Sequence, residues 1–117
     1  MLIERDERPW GYYEVVDAGD GFRVKRICLT PGQRLSYQRH FQRTEHWYVV
    51  SGLGVVTLDD EEQRVSPGSS VDVAVRAAHR VANIGEDDLV LIEVQTGSYF
   101  GEDDIERLSD DYGRHPA

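Results

Sequence analysis

A chain of 117 residues is long enough for one hydrophobic core and too short for two domains with a cleft between them, so any site lies inside a single domain, residues 1–117, or at a subunit interface. Its formal net charge of −9, from 13 Lys plus Arg against 22 Asp plus Glu, gives a surface that repels nucleic acid and anionic membrane at long range. Neither is expected as a partner.

The opening MLIERDERPW lacks the apolar core of a signal peptide. Short β-rich runs then alternate with glycine or acidic turns: YYEVV, DAGDG, FRVKRICL, TPGQ. That is the spacing of antiparallel strands. Cys28, the single cysteine, cannot pair within the chain and reads as a small apolar strand residue. HWYVVSG precedes LGVVTL, the acidic DDEE turn leads to QRVS, PGSS precedes VDVAV, and HRVANIGEDDLVLIEVQTG reads as two strands around a turn. Val71, Val73 and Val75 alternate with Asp72 and Ala74, which buries one sheet face. The expectation is an all-β sandwich or barrel, its core spanning about residues 11–97. In the acidic tail, 101–117, Ile105 and Leu108 stand three apart, which predicts one or two helical turns. The acidic clusters Asp59–Glu62, Glu86–Asp88, Glu102–Glu106 and Asp110–Asp111 read as solvated turns and a polar tail. No apolar run approaches the roughly 20 residues of a membrane-spanning helix, and the expected location is the cytoplasm.

The stretch QRHFQRTEHW, Gln38 to Trp47, concentrates the chemistry. Residues two apart on a strand face the same side, so Gln38 and His40 can point together into a barrel. Glu45 follows after a short turn. Together they offer amide oxygen, imidazole nitrogen and carboxylate, the mixed donors that suit one divalent ion, with Zn first and Mn, Co, Ni or Fe as alternatives. A fourth donor must come from a distant strand. His79 is the histidine available on another core strand, whereas His115 reads as solvated.

The spacing Gly32, Gln38, His40, Glu45, Gly52 resembles the first motif of cupins, G-x5-H-x-H-x4-E-x6-G, with Gln in place of the first His. Gly68, His79 and Asn83 match the second, G-x5-P-x-G-x2-H-x3-N, with Ala74 and Arg76 replacing its Pro and inner Gly. Because Arg takes positive φ less readily than Gly, that turn is expected to differ in backbone. The resemblance implies a double-stranded β-helix, or jelly-roll barrel. RPWGYYEV, QRHFQRTEHWYVVSG, HRVANIG and IEVQTGSYFGEDDIERLSDDYGR are further similar to the C-terminal isomerase module of type II phosphomannose isomerases, whose pattern Q-x-H-x-H-R-x-E-H-W has Gln at the first position. Gln42 replaces its second His. This implies metal binding by Gln38, His40, Glu45 and His79, and interconversion of mannose 6-phosphate and fructose 6-phosphate for nucleotide-sugar and polysaccharide synthesis. In larger relatives the module follows a guanylyltransferase domain, of which these residues hold no counterpart. Small cupins commonly form homodimers by pairing sheets or exchanging N-terminal strands, and RPWGYYEVV could serve as that strand.

An aldose–ketose isomerase lifts a proton next to a carbonyl and returns it to the neighbouring carbon, while a divalent metal stabilises the charge that builds on oxygen. The proton needs a base of near-neutral pKa within reach. Glu93 and His46 are the candidates, although inward Glu45 turns its neighbour His46 outward, and Gln95 shares the face of Glu93. Phosphate needs cations, preferably forked guanidinium groups. Arg43, which stands at the family's H-R-x-E position, is the first choice, with Lys25, Arg26 and Arg80 as further candidates. Lys25 and Arg26 are adjacent, so only one can face the cavity. Trp47 shares parity with Glu45 and could line the pocket, while Trp10, Tyr12, Tyr13 and Tyr48 read as core and interface aromatics. Two other functions fit a cupin barrel: a non-catalytic module that binds metal and a phosphosugar or other small molecule, and a cupin dioxygenase.

Overall fold

The computed structural model describes residues 3–113, so His115 lies outside the described residues. Eleven strands are present among them and no helix: β1 Glu4–Arg8, β2 Gly11–Gly19, β3 Phe22–Leu29, β4 Tyr37–Arg39, β5 Arg43–Ser51, β6 Gly54–Leu58, β7 Glu61–Val65, β8 Ser70–Val73, β9 His79–Asn83, β10 Leu89–Gly97 and β11 Glu106–Ser109. They form two antiparallel sheets, ordered β1-β2-β3-β10-β5-β8 and β11-β4-β9-β6-β7. The inner faces meet in a common core.

Local chemistry sets the turns. Between β6 and β7, Asp59 and Asp60 both take positive φ, 47° and 70°, the conformation of a tight two-residue hairpin, which Asp tolerates better than bulkier residues. Arg76 also has a φ of 70°, contrary to the expectation of a changed backbone. The left-handed turn is retained with a non-glycine residue in it, at a cost of roughly 1–2 kcal/mol. Its amide donates to the His40 carbonyl at 2.7 Å, which ties the turn before His79 to the segment carrying His40.

The tail differs from the expected helical turns. Residues 106–109 form β11, which pairs antiparallel with β4, Glu106 opposite Arg39 and Arg107 opposite Gln38. Two turns of helix gain little against the cost of nucleation, whereas the free edge of β4 offers backbone partners at once. Nor is the tail wholly solvated, since Asp104 is buried.

The inward faces change character along each strand. On β3 they read Lys25, Ile27, Leu29; on β5 Arg43, Glu45, Trp47, Val49; on β10 Leu89, Leu91, Glu93, Gln95, all buried. Antiparallel register aligns like with like: Leu91 pairs with Ile27 and Val49, Glu93 with Lys25 and Trp47, and Gln95 with Glu45. One end of the barrel therefore fills with aliphatic side chains, including Leu29, Val49, Val56, Val81, Leu89 and Leu91. The other end collects charge.

Candidate metal centre

Three buried side chains converge at the polar end. Glu45 enters from β5 in the first sheet, His79 from β9 in the second, and His40 from the residue just after β4. Their nearest ligand atoms all lie within 4.8 Å of one another. Glu45 Oε1 is 3.3 Å from His79 Nε2, and Oε2 is 3.6 Å from His40 Nε2. Gln38 sits on β4 directly opposite His79 in the ladder and lines the same cavity as His40 and Glu45. Its Oε1 accepts from the Ser36 hydroxyl at 3.0 Å.

The outer contacts fix which imidazole nitrogen is free. His40 Nδ1 lies 2.5 Å from the Asp104 carbonyl, and His79 Nδ1 lies 2.8 Å from the Ala77 carbonyl. A carbonyl only accepts, so each Nδ1 carries its hydrogen and each Nε2 presents a lone pair to the cluster. His79 Nε2 is buried with no hydrogen-bond partner, as is Gln95 Oε1. Unpartnered buried acceptors beside a carboxylate are costly in an ordinary core and are what a cation satisfies. The donor set fits a divalent ion.

In the metal-free cluster the two imidazoles differ: burial would lower His79, but the Glu45 carboxylate beside it holds it above its ordinary value. Burial pushes the His40 imidazole below its ordinary value, favouring the neutral form that binds metal. Burial alone would raise the Glu45 carboxyl, but His79, His40 and Arg43 hold it well below the ordinary range. Glu93 is the opposite case: burial first and the Glu45 carboxylate second push it up to about 8. Its Oε2 accepts the Trp47 indole N–H at 2.8 Å. Gln95 Nε2 donates to Glu45 Oε2 at 3.1 Å.

A cavity of about 60 Å³ opens beside the cluster, with Lys25, Gln38, His40, Arg43, Glu45, Glu93, Gln95 and Glu102 on its wall. Of the candidate cations, two reach it. Arg43 Nε donates to Glu45 Oε2 at 3.3 Å, while Lys25 Nζ donates to Glu102 Oε2 at 3.3 Å. Arg26 does not: it lies on the opposite face of β3, half-exposed and paired with Glu14. Arg80 does not either, since inward His79 and Val81 flank it and its Nε donates to the Leu35 carbonyl at 3.0 Å. His46 does not reach the cavity either. Its side chain is 47% exposed and its Nδ1 lies 2.6 Å from Asp72, because alternation along β5 turns it outward when Glu45 points in. Trp47 is buried in the core, edge-on to His79 with ring centroids 5.6 Å apart, and is absent from the cavity wall. It positions Glu93 and offers no face for a sugar.

Sequence reasoning missed several contributors, Arg8 and Arg107 on the cavity wall among them. Tyr13 lines the cavity from β2, a position that its parity with core residue Val15 marks. Glu102 and Asp104 come from the acidic segment before β11, where no periodicity flags an inward side chain. Asp104 accepts the backbone N–H of Phe41 and of Gln42, each at 3.0 Å, so it clamps the segment that carries His40.

Two antiparallel sheets closing over a His–Glu–His cluster define a cupin, and solved structures share the fold. The capsular polysaccharide assembling protein CapF of Staphylococcus aureus superposes with a TM-score of 0.76 at 24% identity, over 94% of this chain and 35% of that one. KdgF of Halomonas sp. gives 0.77 at 20% identity, over 86% and 89%. Within that class the chain belongs to the family described as mannose-6-phosphate isomerase C-terminal, whose profile matches residues 3–110. It is 53% identical over 107 residues to the alginate biosynthesis protein AlgA of Pseudomonas aeruginosa, 50% to the xanthan biosynthesis protein XanB of Xanthomonas campestris, and 47% to the mannose-1-phosphate guanylyltransferase of Escherichia coli. Each match covers 92% of this chain and only 22–23% of the relative's length.

Proposed function

We propose that this chain is a metal-dependent sugar-phosphate isomerase module that interconverts mannose 6-phosphate and fructose 6-phosphate and serves polysaccharide synthesis. The observation that carries the reading is the buried convergence of His40, Glu45 and His79 beside a second buried carboxyl, Glu93, on the same cavity wall. His40, Glu45, His79 and Gln38 hold the ion, with Zn the first candidate and Mn, Co, Ni or Fe the alternatives. When bound, the ion supplies Lewis-acid stabilisation of charge on a substrate oxygen.

The remaining work falls to side chains. Glu93 moves the proton between adjacent carbons: a carboxyl raised to about 8 is a stronger base than an ordinary one and still gives the proton back. The Trp47 N–H fixes its orientation. Arg43 and Lys25 bring two buried positive charges to the cavity, suited to a phosphate group.

Coupled turnover of mannose 6-phosphate by metal-replete protein tests the reading, with Glu45→Ala as the control expected to lose both metal and activity. Stoichiometric metal and tight sugar-phosphate binding without turnover would instead make the chain a binding module.

A further inference from the structure

Two of the four cations that line the cavity, Lys25 and Arg43 beside Arg8 and Arg107, approach one carboxylate that comes from outside the barrel. Lys25 and Arg43 are almost fully buried, with side chains 5% and 3% exposed, whereas Glu102, in the segment between β10 and β11, is 44% exposed. Glu102 Oε2 is 3.3 Å from Lys25 Nζ and 3.9 Å from Arg43 NH2. That contact is the only side-chain hydrogen bond Lys25 makes among the described residues; the face of Tyr13 lies 4.1 Å away at its ring centroid, and Glu93 stands opposite Lys25 on β10. Burial would raise the Glu102 carboxyl, yet Lys25 and Arg43 hold it below its ordinary range. A buried ammonium whose one hydrogen-bonded carboxylate among the described residues is a half-exposed side chain is a site in which one anion can replace another.

Size points the same way. A cavity of about 60 Å³ is far below the roughly 300 Å³ and upward that ligand pockets of drug size provide. The half-exposed carboxylate on its wall is Glu102, whereas Glu45 and Glu93 are buried. Asp104, two residues on, is buried and bonded to Phe41 and Gln42, so the segment is anchored there while the Glu102 side chain stands half-exposed.

We propose that Lys25 and Arg43 form an anion subsite for a phosphate monoester and that the Glu102 carboxylate is a built-in competitor, occupying the subsite until substrate phosphate displaces it. The identity of the anion rests on the phosphosugar reading above; the competition does not. A plug in place about nine-tenths of the time weakens apparent affinity about tenfold.

The test is calorimetric titration of inorganic phosphate into metal-replete and chelator-treated protein, for wild type, Glu102→Gln and Glu102→Ala. Both variants change a half-exposed side chain, and thermal melts verify their folding. Phosphate affinity about tenfold tighter in both variants, in both metal states, and lost again when Lys25→Met is combined with Glu102→Gln, supports the proposal. Unchanged or weaker affinity in the folded variants, or no binding of millimolar phosphate to any form, overturns it. Mannose 6-phosphate turnover, read in parallel, separates the two claims. Tighter phosphate binding without wild-type turnover leaves the subsite and removes the isomerase; turnover with phosphate affinity indifferent to residue 102 does the reverse.

Discussion

Glu93 shows how much a single position can carry. It was legible in the sequence as a carboxylate on a core strand, sharing a face with Gln95, because period-2 alternation survives any rearrangement of loops. The Trp47 N–H that orients it was not, since cross-strand register depends on turns whose lengths do not fix pairing. Its raised pKa has a stability consequence whose sign is definite. The folded value, about 8, stands above the 4.5 of an unperturbed glutamate. Neutral Glu93 therefore favours the fold fully below about pH 4.5, and that contribution is lost as pH rises through 8. Glu93→Gln stays neutral and keeps a carbonyl acceptor for the indole. In urea titrations of metal-free protein, wild type should lose stability relative to the variant between pH 5 and pH 8, roughly 1.4 kcal/mol for each unit of pKa shift at most. Parallel pH profiles for the two proteins would remove Glu93 as a buried titrating acid. Under the proposed function, mannose 6-phosphate turnover by the metal-loaded variant should fall by about 10² or more.

At the scale of elements, the segment from Gly101 to Ile105 does two jobs that composition disguises. Its acids read as solvent-facing, which Asp103 is, while Asp104 turns inward. An irregular segment has no repeat from which the inward positions can be picked out, and that is why the tail was the least legible part of the site. The four candidate ligands were easier, since three lie within eight residues and the fourth, His79, stood alone in an apolar stretch. Asp104→Ala removes the acceptor of two backbone amides near His40 but leaves the Asp104 carbonyl that holds the imidazole. The expected cost is about 1–3 kcal/mol in urea unfolding of the metal-free protein, with metal affinity weakened about 10- to 100-fold as His40 loses its fixed position. A variant with the lower stability and unaltered affinity in a competitive chelator titration would reduce Asp104 to a loop clamp with no hold on the ligand.

Across the whole molecule, the barrel divides into an aliphatic half that supplies stability and a polar half that gives some of it up. Leu91 pairs with Val49, whereas Glu45 pairs with Gln95, four strand positions away on both β5 and β10, or about 13 Å at roughly 3.3 Å per residue. Sites so far apart and without shared partners should contribute independently. Leu91→Ala removes a fully buried side chain and should cost about 2–5 kcal/mol, equally in metal-free and metal-saturated protein. The increment that saturating metal adds, set by ligand concentration over Kd, should then match that of wild type. His79→Gln should do the converse: the metal increment vanishes, whatever happens to the metal-free protein. The four proteins formed by these two substitutions, alone and combined, give the comparison directly in urea midpoints with and without metal. If Leu91→Ala shrinks the metal increment, the two halves are mechanically coupled, and the polar end needs the aliphatic end to hold its ligands in place.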